Sequence, residues 1–250
     1  MRAVVHAYYL AGDSYPRDRH VEAAVATRLR DAGVETMSQD QLDARSGPGG
    51  MVLGIQARAQ RLERAIEDTS APDPPFIIGR SSGGSVAVEV ARRRPIAGVI
   101  CLGFPFRAPG RVLDPARFAA LAEVQTPTLI IQGERDRYGG LDLTEHYALS
   151  PAVFLRFASG GHRFELSAGE WDEVAGWITA FIAGGLVGQT PKEDFDEAFY
   201  LRTHPDVAQA VAEGRFISGA QHLEHCGREE GRAYRLSPRS LGVPKPPQES

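Results

Sequence analysis

At 250 residues the chain is longer than a usual single-domain core needs, so one main domain with a small appendage is expected. Its 42% hydrophobic and 24% charged residues are those of an ordinary globular protein, and a formal net charge of −4 gives no reason to expect nucleic acid or an anionic membrane as partner. The two cysteines, Cys101 and Cys226, lie far apart and set no disulfide framework, and no run suits a signal segment or a membrane span. A cytoplasmic protein without membrane insertion is the resulting expectation.

Arg2 to Leu10 reads as an opening strand and Ala11 to Pro16 as the loop after it. Val21, Val25, Leu29 and Ala32 recur at helical spacing, with Gly33 closing the segment, and Val34 to Met37 is a short strand. After the Gly-rich Ser46 to Gly50, a helix from about Met51 to Glu67 carries Ile55, Leu62 and Ile66. Pro72, Pro74 and Pro75 end that connection and lead into Phe76 to Ala91, the stretch around which the chain is organised. It consists of an apolar run, the turn Gly79-Arg80-Ser81-Ser82-Gly83 and a helix-period segment. Strand, tight turn and helix in that order expose the Ser81 hydroxyl at the strand's carboxyl end on a strained backbone, which asks for glycine at 79 and 83. Taking Ser82 instead would put Arg80 at the crowded position two before the hydroxyl, so Ser81 is the better choice.

Ile96 to Gly103 is the next strand, Phe104 to Asp114 a loop and Ala116 to Ala122 a short helix. The connection leaves no room for a large cap before the strand Pro127 to Gln132, which ends in Gly133-Glu134-Arg135-Asp136. Ala152 to Phe157 is a further strand, ending in Ala158-Ser159-Gly160-Gly161-His162. Helices over Leu141 to Leu149 and Glu170 to Ala183 complete an alternation of strand and helix. The expected fold class is therefore α/β, a doubly wound and mostly parallel sheet with helices on both faces, occupying residues 1–184. Residues 185–191 read as a linker, 192–235 as a small all-α appendage and 236–250, with four prolines, as a disordered tail. Phe199, Tyr200, Val207, Val211, Phe216 and Leu223 suggest three short helices with an aromatic core.

Ser81 in its Gly-x-Ser-x-Gly turn, followed by Asp136 and then His162 just past two further strands, resembles the α/β-hydrolase family, in particular its small lidless dienelactone-hydrolase-like members. The resemblance implies a serine hydrolase that cleaves an ester, thioester or related acyl bond through an acyl-enzyme. In it Ser81 is the nucleophile, His162 the general base and Asp136 the residue that orients the imidazole. Glu134 is the next candidate for the acid. The resemblance also implies an oxyanion hole made by the Ser82 N–H and an amide of the first loop. His6-Ala7-Tyr8-Tyr9 departs from the family's His-Gly-x-Gly there, and Tyr8, or else Tyr9, takes that role.

Arg80, Arg135, Arg137 and Arg163 each adjoin one of the three residues in sequence, and Arg80 and Arg163 are candidate substrate-binding residues for an anionic small-molecule acyl substrate. No cofactor and no metal is expected. His222, His225 and Cys226 have the helical spacing to present ligands on one face, but no fourth ligand accompanies them. His204-Pro205-Asp206-Val207-Ala208 and its surroundings resemble a small helical module appended to bacterial glycosyltransferases and polysaccharide-related proteins, from which no catalytic residue carries over; a protein partner for the C-terminal helices is a separate expectation. Two other classes stay open: an acyltransferase using the same three residues, and a non-enzymatic interaction or scaffold protein on a hydrolase fold.

Overall fold

The computed structural model describes residues 5–46, 53–69, 72–111, 115–141, 143, 149, 150, 152–184, 196–213, 215, 216, 218–223, 227, 230 and 232. The expected linker 185–191, the tail 236–250, most of the helix expected over 141–149, and His225 and Cys226 lie outside the described residues. The chain divides into two compact units, the first made of Met1–Gln189 with Gly242–Ser250 and the second of Thr190–Leu241.

In the first unit six described strands form one sheet: β1 (Val5–Leu10), β2 (Val34–Met37), β3 (Phe76–Arg80), β4 (Gly98–Leu102), β5 (Thr128–Gly133) and β6 (Val153–Ala158). Their order is β2-β1-β3-β4-β5-β6, and every neighbouring pair is parallel. Parallel strands need crossovers. These are supplied by α1 (Arg19–Asp31), α2 (Gln39–Ser46), α3 (Ile55–Thr69), α4 (Ser82–Ala91) and α5 (Ala119–Glu123), with α6 (Ala168–Ile182) following β6.

Both faces of the sheet are covered, which is why its central strands are continuous apolar runs. Strand alternation sends Val99 and Cys101 to one face, against Leu62 and Ile66 of α3, Val86 and Val90 of α4 and Leu121 of α5. It sends Ile100 and Leu102 to the other, against Val21, Val25 and Leu29 of α1 and Trp171, Val174 and Ile178 of α6. The Arg28 guanidinium joins these last two helices, donating to Asp172 at 2.7 Å. Helix α2 was not expected. Only Leu42 of its eight residues is a buried hydrophobic, so its sequence carries no helical period.

In the second unit, α7 (Glu197–Thr203), α8 (Pro205–Ala212) and the one-turn α9 (Gly219–His222) pack Tyr200, Val207 and Leu223 together. Asp196 caps α7 by accepting from Phe199 N–H at 2.8 Å, and Pro205 opens α8, where a missing N–H costs nothing. The His222 ring shares a 3.0 Å hydrogen bond with the Tyr200 hydroxyl.

Candidate active site

The parallel register levels the carboxyl ends of the strands. Leu10 stands beside Gly79, Arg80 beside Leu102, and Gly133 beside Ala158. The sheet order reverses at β1, whose two neighbours are β2 and β3, and open α/β sheets carry their sites at such a reversal.

Ser81 lies between β3 and α4 at φ 49°, a left-handed conformation that costs a non-glycine residue on the order of 1 kcal/mol or more. The close approach of strand and helix explains its neighbours. A Cβ on Gly79 would lie 2.5 Å from the Gly83 backbone, and one on Gly83 would lie 2.2 Å from the Leu10 carbonyl oxygen. Nothing larger than glycine fits either place.

From this turn the Ser81 hydroxyl reaches His162 Nε2 at 3.1 Å, and His162 Nδ1 lies 2.8 Å from Asp136 Oδ2. The Asp136 side chain is fully buried and its hydrogen bonds are filled: Oδ1 accepts from Tyr138 N–H at 2.8 Å, and Oδ2 also accepts from the Gln132 amide at 3.0 Å. Gln132 is in turn held by the Phe104 carbonyl at 3.1 Å. The Tyr138 ring lies over His162 with centroids 4.2 Å apart, so the imidazole is fixed by two hydrogen bonds and one stacked face. Glu134 is not the partner of His162. Serine, histidine and aspartate thus come together from the ends of β3, β6 and β5, as their order in the chain leads one to expect.

Ser82 turns its side chain the other way. Its hydroxyl donates to Asp13 at 2.6 Å and accepts from Arg58 of α3 at 3.2 Å, which separates its role from that of Ser81. Its backbone N–H has no hydrogen-bond partner among the described residues.

Tyr8 is not at the site. It pairs with Met37 and Ile77 in the middle of β1, and its hydroxyl points away to Thr69 at 2.8 Å. Ile77 is four residues before Ser81, about 13 Å at the rise of a strand. Tyr9 is also a strand residue, paired with Ile78. The residue beside Ser81 is Gly12, where a Cβ would lie 2.8 Å from the Ser81 Cβ. Arg58 holds this loop, with its guanidinium 2.5 Å from the Ala11 carbonyl oxygen. Carbonyl and N–H point opposite ways across a trans peptide, so the Gly12 N–H faces away from Arg58, and it has no partner among the described residues.

The two arginines expected to bind substrate are placed otherwise. Arg80 is only 2% exposed, with Nε 3.3 Å from Asp18 Oδ2, and it donates to the carbonyls of Leu102 and His162. Burial pulls its guanidinium below its ordinary range, with Asp18 opposing. Its donors are engaged in fixing the backbone of His162, so it is no free anion site. Arg163 faces solvent and lies 3.6 Å from Glu165. Asp18 and Arg58 carry no sequence signal of their own; both sit in polar stretches of the chain and meet the site only through the fold.

Residues 37–175 match the family model described as "Alpha/beta hydrolase domain". The fold is similar to that of an alpha-beta serine hydrolase homologue from Coxiella burnetii, with a TM-score of 0.55 and 19% identity over 72% of this chain and 86% of that one. It is also similar to Est1E from Butyrivibrio proteoclasticus, solved with ferulic acid, at a TM-score of 0.55 and 15% identity over 73% and 89% of the two chains. A protein of the alpha/beta hydrolase superfamily from Xanthomonas campestris pv. campestris aligns over 70% of this chain and 97% of its own, at 20% identity and a TM-score of 0.51. No curated protein matches the sequence. With Ser81, Asp136 and His162 at three parallel strand ends and the family model spanning more than half of its length, the chain belongs to the alpha/beta hydrolase family.

Proposed function

We propose that the protein is a serine hydrolase acting on an ester, thioester or related acyl bond, with Ser81 as nucleophile. The observation that carries this reading is the unbroken chain from the Ser81 hydroxyl through His162 to the buried Asp136, at 3.1 and 2.8 Å. His162 Nε2 takes the Ser81 proton as the oxygen attacks the acyl carbon, while Asp136 keeps the Nδ1 proton in place and stabilises the imidazolium. The carbonyl oxygen becomes negative in the tetrahedral intermediate. The Ser82 N–H, at the start of α4, and the Gly12 N–H are its donors. As the intermediate collapses, the bond to the leaving group breaks and His162 returns the proton to it. Water, activated by the same imidazole, then cleaves the acyl-enzyme and restores Ser81.

The short connection from β4 to β5 supports the lidless, dienelactone-hydrolase-like reading. None of Ser81, Asp136 and His162 lies in the C-terminal unit. We read it as an appended interaction module of the kind found on bacterial glycosyltransferases and polysaccharide-related proteins, and the protein as cytoplasmic. Among the described residues no helix is long and apolar enough to cross a membrane.

A fluorophosphonate probe tests the central claim. Covalent labelling of the wild type, abolished by Ser81→Ala and kept by Ser82→Ala, is the expected result. Failure of the folded wild type to label, or labelling that survives Ser81→Ala, removes Ser81 as nucleophile.

A further inference from the structure

A cleft of about 1040 Å³ opens beside His162, which forms part of its wall. Its other walls come from the end of β3, the start of α1 and the loops after β1, β5 and β6, and they are rich in one residue type: Arg17, Arg80, Arg135, Arg137 and Arg163 all line it, with Asp18 and Glu165 the carboxylates. Both acids are taken. Asp18 pairs with the buried Arg80 at 3.3 Å, and Glu165 lies 3.6 Å from Arg163. Arg17, Arg135 and Arg137 have no carboxylate within ion-pair distance among the described residues, in a chain whose formal net charge is −4.

The fold accounts for this placement. Asp136 turns inward to His162 with its side chain fully buried, so its two neighbours, Arg135 and Arg137, are left exposed at the loop surface. Arg17 comes from the loop after β1, on a different part of the chain. Three guanidinium groups of unbalanced charge therefore stand around a concave space that has His162 in its wall, and His162 is itself 3.1 Å from the Ser81 hydroxyl. A guanidinium offers a planar fork of donors that fits the two oxygens of a carboxylate or the oxygens of a phosphate, and a concave wall of one sign focuses its field on an incoming anion.

We infer that the cleft is a recognition subsite for an oxyanion carried by the acyl substrate, a carboxylate or a phosphate, and that Arg17, Arg135 and Arg137 hold it. Arg80 has no part in it. The inference rests on the proposed hydrolase reading for the substrate's reacting end, and on the cleft's own charge for the rest.

The test uses p-nitrophenyl acyl esters of one chain length ending in a methyl, a carboxylate or a phosphate group, assayed at low and high salt. The full-length wild type is compared with R17Q/R135Q/R137Q, whose exposed substitutions leave its thermal midpoint as a control for folding. An anionic ester should be preferred in kcat/KM, the preference should fall with salt, and the triple variant should lower the anionic-to-neutral ratio about tenfold or more. Whichever of the carboxylate and phosphate series gains more identifies the group. Equal kcat/KM for neutral and anionic esters in the wild type, or a preference that persists in the triple variant, overturns the inference. Calorimetric titration with succinate and with inorganic phosphate reads the subsite without turnover. Binding lost in the triple variant upholds it even if no ester is cleaved, whereas absence of fluorophosphonate labelling would strike only the hydrolase reading.

Discussion

Arg58 touches neither Ser81 nor His162, yet it holds the backbone on both sides of Ser81. It reaches from α3 to the Ala11 carbonyl at 2.5 Å and the Ser82 hydroxyl at 3.2 Å, and so bridges the two backbone segments assigned to the oxyanion hole. Burial pulls its guanidinium below the ordinary range and Asp13 opposes that, yet the group is retained inside the fold at 6% exposure. Removing it frees the Ala11–Gly12 peptide to turn. Losing one oxyanion donor elsewhere costs about 10²–10³ in kcat, so Arg58→Met should lower kcat by up to about 10²-fold while KM changes little. Ester turnover with a short neutral substrate measures it, and an unchanged kcat would show that Gly12 is positioned without Arg58. None of this was legible in the sequence. The buried run Ala7-Tyr8-Tyr9-Leu10-Ala11 hides where β1 ends, and only the register of Leu10 with Gly79 reveals that Gly12 is level with Ser81. Arg80 misled for a related reason: adjacency to Ser81 says nothing about which side of the strand a side chain leaves from.

Helix α6 shows how an element is tied to the site it follows. Its N-terminus carries a capping box, Ser167 accepting from Glu170 N–H and Glu170 accepting from Ser167 N–H at 2.7 Å, and the same carboxylate accepts from the Ser159 hydroxyl in the loop that leads to His162. Hydrogen bonds from Ser159, then from the Ser167 backbone and side chain, pull the Glu170 carboxyl from 4.5 down to about 2. A depressed carboxyl pKa means that the stability it contributes is complete above about 4.5 and is lost as pH falls toward 2. The wild type should therefore be more stable than Glu170→Gln at pH 6, with the difference shrinking steadily between pH 4.5 and 2. Urea midpoints across that range check it, and a difference independent of pH would place the contribution outside the ionised carboxylate. Elements of this kind were readable in proportion to their burial. Strands β4 and β5 are apolar runs because both faces of the sheet are covered, and α3 shows its period through Leu62 and Ile66; α2, with Leu42 its one buried hydrophobic residue, shows none.

At the scale of the whole molecule, the order of the strands is also an order in time. β1, β2 and β3 are complete within the first 80 residues, and β4, β5 and β6 stand beyond β3 in the order in which they are synthesised. Ser81 is laid down with the third strand and His162 only after the last. At roughly 5–20 residues per second, about 4–16 s separate the two on the ribosome. Throughout that interval Ser81 is present without His162, and on the proposed reading the nascent serine has no base to activate it. The same order makes the reaction with a fluorophosphonate a clock for the final edge strand. Both tryptophans, Trp171 and Trp177, lie on α6 immediately beyond it, and Trp171 packs against Phe164 with centroids 6.1 Å apart. During refolding of the full chain, reactivity of Ser81 should rise together with the slowest change in tryptophan fluorescence, and labelling that runs ahead of that change would mean the three residues meet before the edge is complete.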